Sequence, residues 1–506
     1  MSDSALGAPH LQGATRRNRG RNTLPSQKKA EKLCAGPRRK ALLLPAPDRM
    51  VTSNGNGTGY AQTSFVHLGD SARLALMLEP SGRGPFRSQA QDVLSLLSNA
   101  LQEQSRPMSV VNQTVFLRRA EDQKLCEHIL SDFYGPHQPA TNFLFQAPCS
   151  GAALAMEAWA IGGESVRVEH YSPQVLAVSY DRVRFIYCAG IKPASGLTSR
   201  KVYPGVLNAL ESLDHALRQA GSRFEHIVRL WYYLGGVTAP EGRLQRYFEL
   251  NRARTDFYRN IPFGGAFVAK RNGHPLERGQ LVRANRRSAD ILVRSKRGEL
   301  KLARKSITRN TFEAGCGQEC PRSASAIYPA STGIGMQGRQ LIVSCIALET
   351  SRPDLVLVPL ENPHQTPPCL YPPRYSPESP KFARATAMSL GDYVTTWISG
   401  TASVLNSESC HAGDIAKQTE QTIDNIERLI APANFKQHGL LGAGATLRDL
   451  AKVRVYLKRQ KDFSACQAIC QRRFGNVPAI YAIADVCRPE LLVEIEGVAF
   501  SKRLNR

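Results

Sequence analysis

Apolar positions along this chain fall into three runs with one layout. Phe86 to Leu117 reads FRSQAQDVLSLLSNALQEQSRPMSVVNQTVFL, Val202 to Leu234 reads VYPGVLNALESLDHALRQAGSRFEHIVRLWYYL, and Gln418 to Leu457 opens QTEQTIDNIERLI and closes DLAKVRVYL. In each run apolar residues first recur every three or four positions and then crowd together, which predicts an amphipathic helix feeding a buried strand. The segments downstream of the first and third runs repeat as well. RRAEDQKLCEHI and KRQKDFSACQAI read as second helices, each leading to a glycine and then to a strand with a glutamate in an apolar setting, AALAMEAWA or LLVEIEGVA. The spacing from Leu117 to Glu157 is 40 residues and from Leu457 to Glu496 it is 39. A unit recurring about every hundred residues predicts copies of one α+β module in tandem.

The expected organisation is a module at 60–165, a second at 170–350 and a third at 375–506, behind a basic, disordered tail at 1–59. The middle copy is the longest because Leu234 lies more than a hundred residues before its late strand, GRQLIVSCIALE. Residues 271–326, which include RRSADILVRSKRGELKLARK, account for the excess and read as a surface insertion or as non-coding sequence translated in error. Met50 precedes a more ordinary beginning than Met1 and is an alternative start.

The formal charge of +24 points toward nucleic acid until it is located. Residues 1–49 hold 11 Lys/Arg against 3 Asp/Glu, and residues 271–326 hold 13 against 5, so 16 of the 24 charges lie outside the repeats. Nucleic-acid binding by the core is therefore not expected. Twelve cysteines are scattered without a framework spacing, which fits a reducing, cytoplasmic setting. His274 with Cys316 and Cys320 is a weak zinc pattern, and no metal is expected. Phosphate-loop, zincin, serine-hydrolase and dinucleotide motifs are absent from the sequence, as is any apolar run long enough to span a membrane.

Candidate chemistry concentrates between the repeats. The glycine-rich PASTGIGMQGR, with Ser331 and Thr332, could offer backbone N–H groups to an anion. YPPRYSPESPKFARA interleaves Arg374 and Arg384 with Tyr371, Tyr375 and Phe382, a pairing of guanidinium and ring suited to an aromatic acid. YFELNRARTDFY places Asn251, Arg254 and Tyr258 on one helical face, either an anion clamp or an exposed side. Glu408, with His411 and Asp414, sits in a loop past the strand WISGTAS and is a candidate general acid.

The repeated helix–strand unit and the terminal VCRPELLVEIEGVAF resemble the YjgF/RidA superfamily, often labelled endoribonuclease L-PSP. The stretches PASTGIG, LENPHQTP, YSPESPKFARA, ISGTAS and VCRP are similar to its chorismatase branch. The resemblance implies chorismate-mutase-like modules, each a mixed sheet with helices packed outside, arranged with pseudo-threefold symmetry as an internal trimer or a homo-oligomer. It also implies cofactor-free cleavage of the enolpyruvyl ether of chorismate, giving pyruvate and either 3-hydroxybenzoate or a dihydroxycyclohexadiene carboxylate. On that reading Glu408 is the acid, Glu496 matches the late-strand glutamate of small RidA enzymes, and Arg254, Tyr375, Arg384 and Arg488 bind substrate carboxylates. Two alternatives stay open: RidA-type enamine or imine deamination, weakened because PAIYAIADV supplies Ile480 where an arginine is needed, and a non-catalytic protein that binds a small carboxylate.

Overall fold

The computed structural model describes residues 49–54, 60–194, 201–263, 270–271, 274–275 and 327–503. Cys316 and Cys320 of the zinc pattern and most of the tail lie outside them. Among the described residues no helix is long and apolar enough to cross a membrane.

Three six-stranded sheets share one topology. The first contains β1 (Arg49–Asn54), β2 (Tyr60–Leu68), β3 (Ser71–Glu79), β4 (Ser109–Leu117), β5 (Ala140–Leu144) and β6 (Leu154–Gly162), with α1 (Phe86–Gln102) before β4 and α2 (Gln123–Tyr134) after it. Its strand order is β1-β2-β3-β6-β4-β5. The second runs β7 (Arg167–Ser172), β8 (Val175–Tyr180), β9 (Val183–Ile191), α3 (Val202–Gln219), β10 (Ile227–Gly235), α4 (Arg246–Tyr258), β11 (Ala330–Met336) and β12 (Leu341–Thr350). The third runs β13 (Val356–Leu360), β14 (Ala385–Leu390), β15 (Tyr393–Ala402), α5 (Ile415–Ile430), β16 (Leu450–Leu457), α6 (Phe463–Phe474), β17 (Ala479–Ile483) and β18 (Val493–Lys502). In every sheet the fourth and fifth strands pair in parallel across a helical crossover, and the sixth inserts antiparallel beside the fourth.

The helices form because their apolar residues line one stripe. In α1 the buried set Phe86, Ala90, Val93, Leu94, Leu97 and Ala100 has helical spacing and lies on the sheet. Helices α2 and α6 both stop at a glycine with positive φ, Gly135 and Gly475, where a side chain would be strained. The opposite sheet faces meet one another around Phe185, Trp397, Val498 and Phe500.

The sheets close in a ring. The fifth strand of each packs on the third strand of the next: β5 on β9, β11 on β15, β17 on β3. Backbone hydrogen bonds of 2.8 Å near the ends of the fifth strands also link each pair of sheets, Gln337 to Phe145, Gly335 to Asp485 and Ile483 to Ala147. This is a pseudo-threefold arrangement of α+β units. Register also superposes the repeats, since Thr114 faces Glu157 as Arg454 faces Glu496 and Trp231 faces Ser344.

Three sequence expectations need correction. The first sheet begins at Arg49, inside the segment assigned to the tail, and the third begins at Val356, well before residue 375. Ser331 and Thr332 do not lie in a loop. They belong to β11, whose backbone is engaged with β10, and the Ser331 N–H goes to Ser399 Oγ at 2.8 Å, so this segment offers no anion nest. A glycine-rich strand covered on both sides lacks the polar alternation that marks strands in sequence.

Candidate active site

One of the ring's junctions differs from the other two in what the chain lays across it. Between β13 and β14 the segment 361–384 crosses the junction of the second and third sheets. Asn251 on α4 holds it there through Ser376, at 3.3 Å. Gln245, just before α4, donates to the Cys487 carbonyl at 3.1 Å and ties the same helix to the turn before β18. The junction therefore gathers side chains from α4, the crossing segment and β18.

Three arginines converge on it. Arg254 is 1% exposed; its Nη2 donates to Asn251 Oδ1 at 2.8 Å, and its guanidinium lies 5.9 Å from the Phe382 ring centroid. Arg384, 3% exposed, lies 5.9 Å from the same ring, so two guanidinium groups from different sheets flank one phenyl group. Arg384 also donates to the Tyr371 hydroxyl and to the Thr366 carbonyl. Arg488 stacks 3.9 Å from the Tyr375 ring and 5.0 Å from the Tyr371 ring, fixed by the Ser407 carbonyl and Ser409 Oγ. The Nε atoms of Arg254 and Arg384 are buried and have no acceptor. A buried donor left unpaired is costly, and the geometry leaves these two free for a ligand.

A carboxyl group missed in the sequence completes the site. Glu494 lies on the same face of β18 as Glu496, two positions apart. It is buried, and its carboxyl accepts no hydrogen bond among the described residues. Burial, and next the charge of Glu496, push it up to about 8 against the opposing pull of Arg229 and Arg384. At neutral pH it holds a proton. Glu496 is the reverse case. Burial opposes its charge, but Arg229, Arg454 and Thr332 outweigh that and hold it below the usual carboxylate range. Its oxygens accept from Arg229 Nη2 at 2.6 Å, Trp231 Nε1 at 3.0 Å, Tyr456 at 3.1 Å and the Thr332 hydroxyl. The two neighbours are thus split into one acid and one fixed anion.

Gly400 makes room for the acid. A Cβ there would overlap the Glu494 carboxyl oxygen and approach Thr332 Cγ2 at 3.1 Å, while the Gly400 N–H donates to Thr332 Oγ1 at 2.9 Å. Gly400→Ala should therefore displace Glu494 and lower turnover on the substrate by more than tenfold, with thermal stability reduced less than turnover; steady-state rates beside a melting curve check this.

Glu408 has a different environment from the one its proposed role needs. It is exposed, and the Tyr375 hydroxyl, together with Arg374, holds it below the usual range. Such a carboxylate is ionised at neutral pH and makes a poor proton donor. It steadies Tyr375 and Arg374 at the rim of the site. Arg254, Tyr375, Arg384 and Arg488 are brought into one cluster, with Glu408 at its edge. Glu496 lies behind Glu494, in contact with the junction through Thr332.

Known proteins share parts of this chain. Residues 382–501 match the Endoribonuclease L-PSP family. The chain is 41% identical over 178 residues to a 3-hydroxybenzoate synthase of Streptomyces hygroscopicus, covering 34% of this chain and 50% of that protein. It is 36% identical over 176 residues to a chorismatase of Streptomyces rapamycinicus, covering 34% of this chain and 51% of that protein. The chain spans about half the length of the curated relatives it matches. A crystal structure of chorismatase superposes with a TM-score of 0.54 at 18% identity, covering 86% of this chain and all of that one, and so shares the fold. The chain is related to the RidA and chorismatase proteins.

The RidA-type alternative can be read against all three junctions. Each fifth strand opens on a Pro-Ala pair, and the next residue is Thr141, Ser331 or Ile480. No junction carries an arginine at that place.

Proposed function

We propose that this chain is a chorismatase-type enzyme that cleaves the enolpyruvyl ether of chorismate. The observation that carries the reading is a buried, protonated Glu494 at a junction where Arg254, Arg384 and Arg488 converge and two guanidinium Nε atoms lack acceptors. Chorismate has two carboxylates, and cationic groups contributed by two sheets fit a dianion. Tyr371, Tyr375 and Phe382 supply the ring faces for its carbocycle.

In this mechanism Glu494 gives its proton to the methylene carbon of the enol ether, forming a C–H bond and leaving an oxocarbenium ion. Water then adds to the oxocarbenium carbon, the one that bears the ether oxygen and the carboxylate, and returns a proton to the Glu494 carboxylate. The hemiketal collapses with cleavage of its bond to the ring oxygen, giving pyruvate and a dihydroxycyclohexadiene carboxylate. In the alternative outcome, water loss from the ring accompanies release of pyruvate and leaves 3-hydroxybenzoate, with no net consumption of water. Arg229 is neutralised by Glu496, which weakens its pull on Glu494, while burial and the Glu496 charge outweigh the pull of Arg384 and keep the proton in place.

Incubation of purified protein with chorismate, following pyruvate and the ring product by chromatography, tests the proposal; no pyruvate from folded protein would end it. Arg384→Ala should raise KM for chorismate roughly tenfold to a hundredfold, since a charge-assisted hydrogen bond contributes about 1.5–3 kcal/mol. An unchanged KM would remove Arg384 from carboxylate binding.

A further inference from the structure

On the ring's axis the three sheets enclose a chamber that shares none of the residues assigned above to acid catalysis or carboxylate binding. Its charged lining is Arg73, Lys452, Arg454 and Glu157, three cations against one carboxylate. Glu157 is fully engaged: it accepts from Arg454 Nε at 2.5 Å and Nη2 at 3.0 Å, and from the Lys452 ammonium. Arg73 stands apart. It is 7% exposed, donates through Nη2 to the Tyr180 hydroxyl at 2.8 Å and stacks 4.6 Å from the Phe185 ring. Among the described residues no carboxylate pairs with it, and its buried Nε has no acceptor.

An unpaired guanidinium inside a protein is expensive, and a lining with two excess positive charges makes it more so. Position does not require it either, because register places Phe185 and Thr395 where Arg73 stands in the first sheet. Tyrosine hydroxyls satisfy part of its hydrogen bonding but none of its charge. Trp159, Trp231 and Trp397 wall the chamber and exclude bulky or strongly hydrated ligands.

We propose that this axial chamber binds a compact monovalent anion, a halide or a small carboxylate, with Arg73 as its principal ligand and the Lys452–Arg454 face as its second wall. The site is separate from the proposed chorismate cleft and does not depend on that function.

The chain has 3 tryptophans, and all of them line the chamber, so its intrinsic tryptophan fluorescence reports on this place. Iodide should be titrated into the full-length protein at constant ionic strength, with gluconate as the excluded counter-anion. Saturable quenching is expected. Chloride and acetate, added separately, should reverse it, and whichever does so at lower concentration identifies a halide or a carboxylate as the preferred occupant. Arg73→Met should raise the half-saturation at least about tenfold, the loss expected for one charge-assisted contact. Quenching by iodide that stays linear in the wild-type protein, or that saturates equally in Arg73→Met, would overturn the proposal. Should that variant not fold, the wild-type curve decides alone, and a melting temperature equal in chloride and gluconate would count against the site.

Discussion

Replacing Glu494 with glutamine should lower turnover on chorismate roughly 10²–10⁴-fold while leaving substrate affinity nearly unchanged, because the amide keeps the shape and loses the transferable proton. Glu408→Gln, at an exposed and ionised position, should change the rate only a few-fold. The pair of variants separates the two glutamates by one measurement. The pH profile provides a second test. Glu494 is held protonated up to about 8, so the rate should be level near neutrality and fall as pH rises through that value. An acid with Glu408's depressed titration would instead lose activity across the whole neutral range. Full activity in Glu494→Gln would refute the assignment.

The two glutamates also mark where the sequence was readable and where it was not. Helices α1, α3 and α5 stand out because each buries a stripe at helical spacing, and the matched distances to Glu157 and Glu496 correspond to real register, Thr114 to Glu157 and Arg454 to Glu496. Strands β11 and β13 were hidden. One is glycine-rich and covered on both faces, and the other is five residues ending beside a proline-rich segment. The first has the composition of a linker, and the second is too short for its apolar run to stand out.

For the site, polar residues in loops attract attention because loops often carry function, and Glu408 drew it for that reason. Glu494 sits in LLVEIEGVA, where it resembles one more strand residue. The usable signal was the pair itself. Two carboxyl groups at period two put both on one face of an apolar strand, and two buried acids that close cannot share one ionisation state. What no periodicity could reveal is that Arg254 and Arg384, 130 positions apart, flank the same ring. Their meeting comes from the cyclic order of the sheets.

Arg454→Met should be the most destabilising single substitution of a charged residue in the ring. Arg454 of the third sheet reaches Glu157 of the first through two nitrogens, lies 3.2 Å from Glu496, and donates to the Tyr233 hydroxyl of the second at 2.7 Å. Removing it strands buried charge and leaves three sheets without their common partner. Breaking a buried pair from one side typically costs about 3–5 kcal/mol, measured by urea denaturation against wild type. The double variant Glu157→Leu with Arg454→Met should recover part of that loss, since the stranded carboxylate is then gone; a double variant as unstable as the sum of the singles would mean the pair is not coupled. Acid should act on the same contact. Burial alone would raise Glu157, yet Arg454 and Lys452 hold it down at about 2, below its value in the unfolded chain. Its contribution is therefore complete above the ordinary glutamate range and lost as pH falls from there toward 2, so the wild-type protein should weaken across that window more steeply than Glu157→Gln, which has no proton to take up.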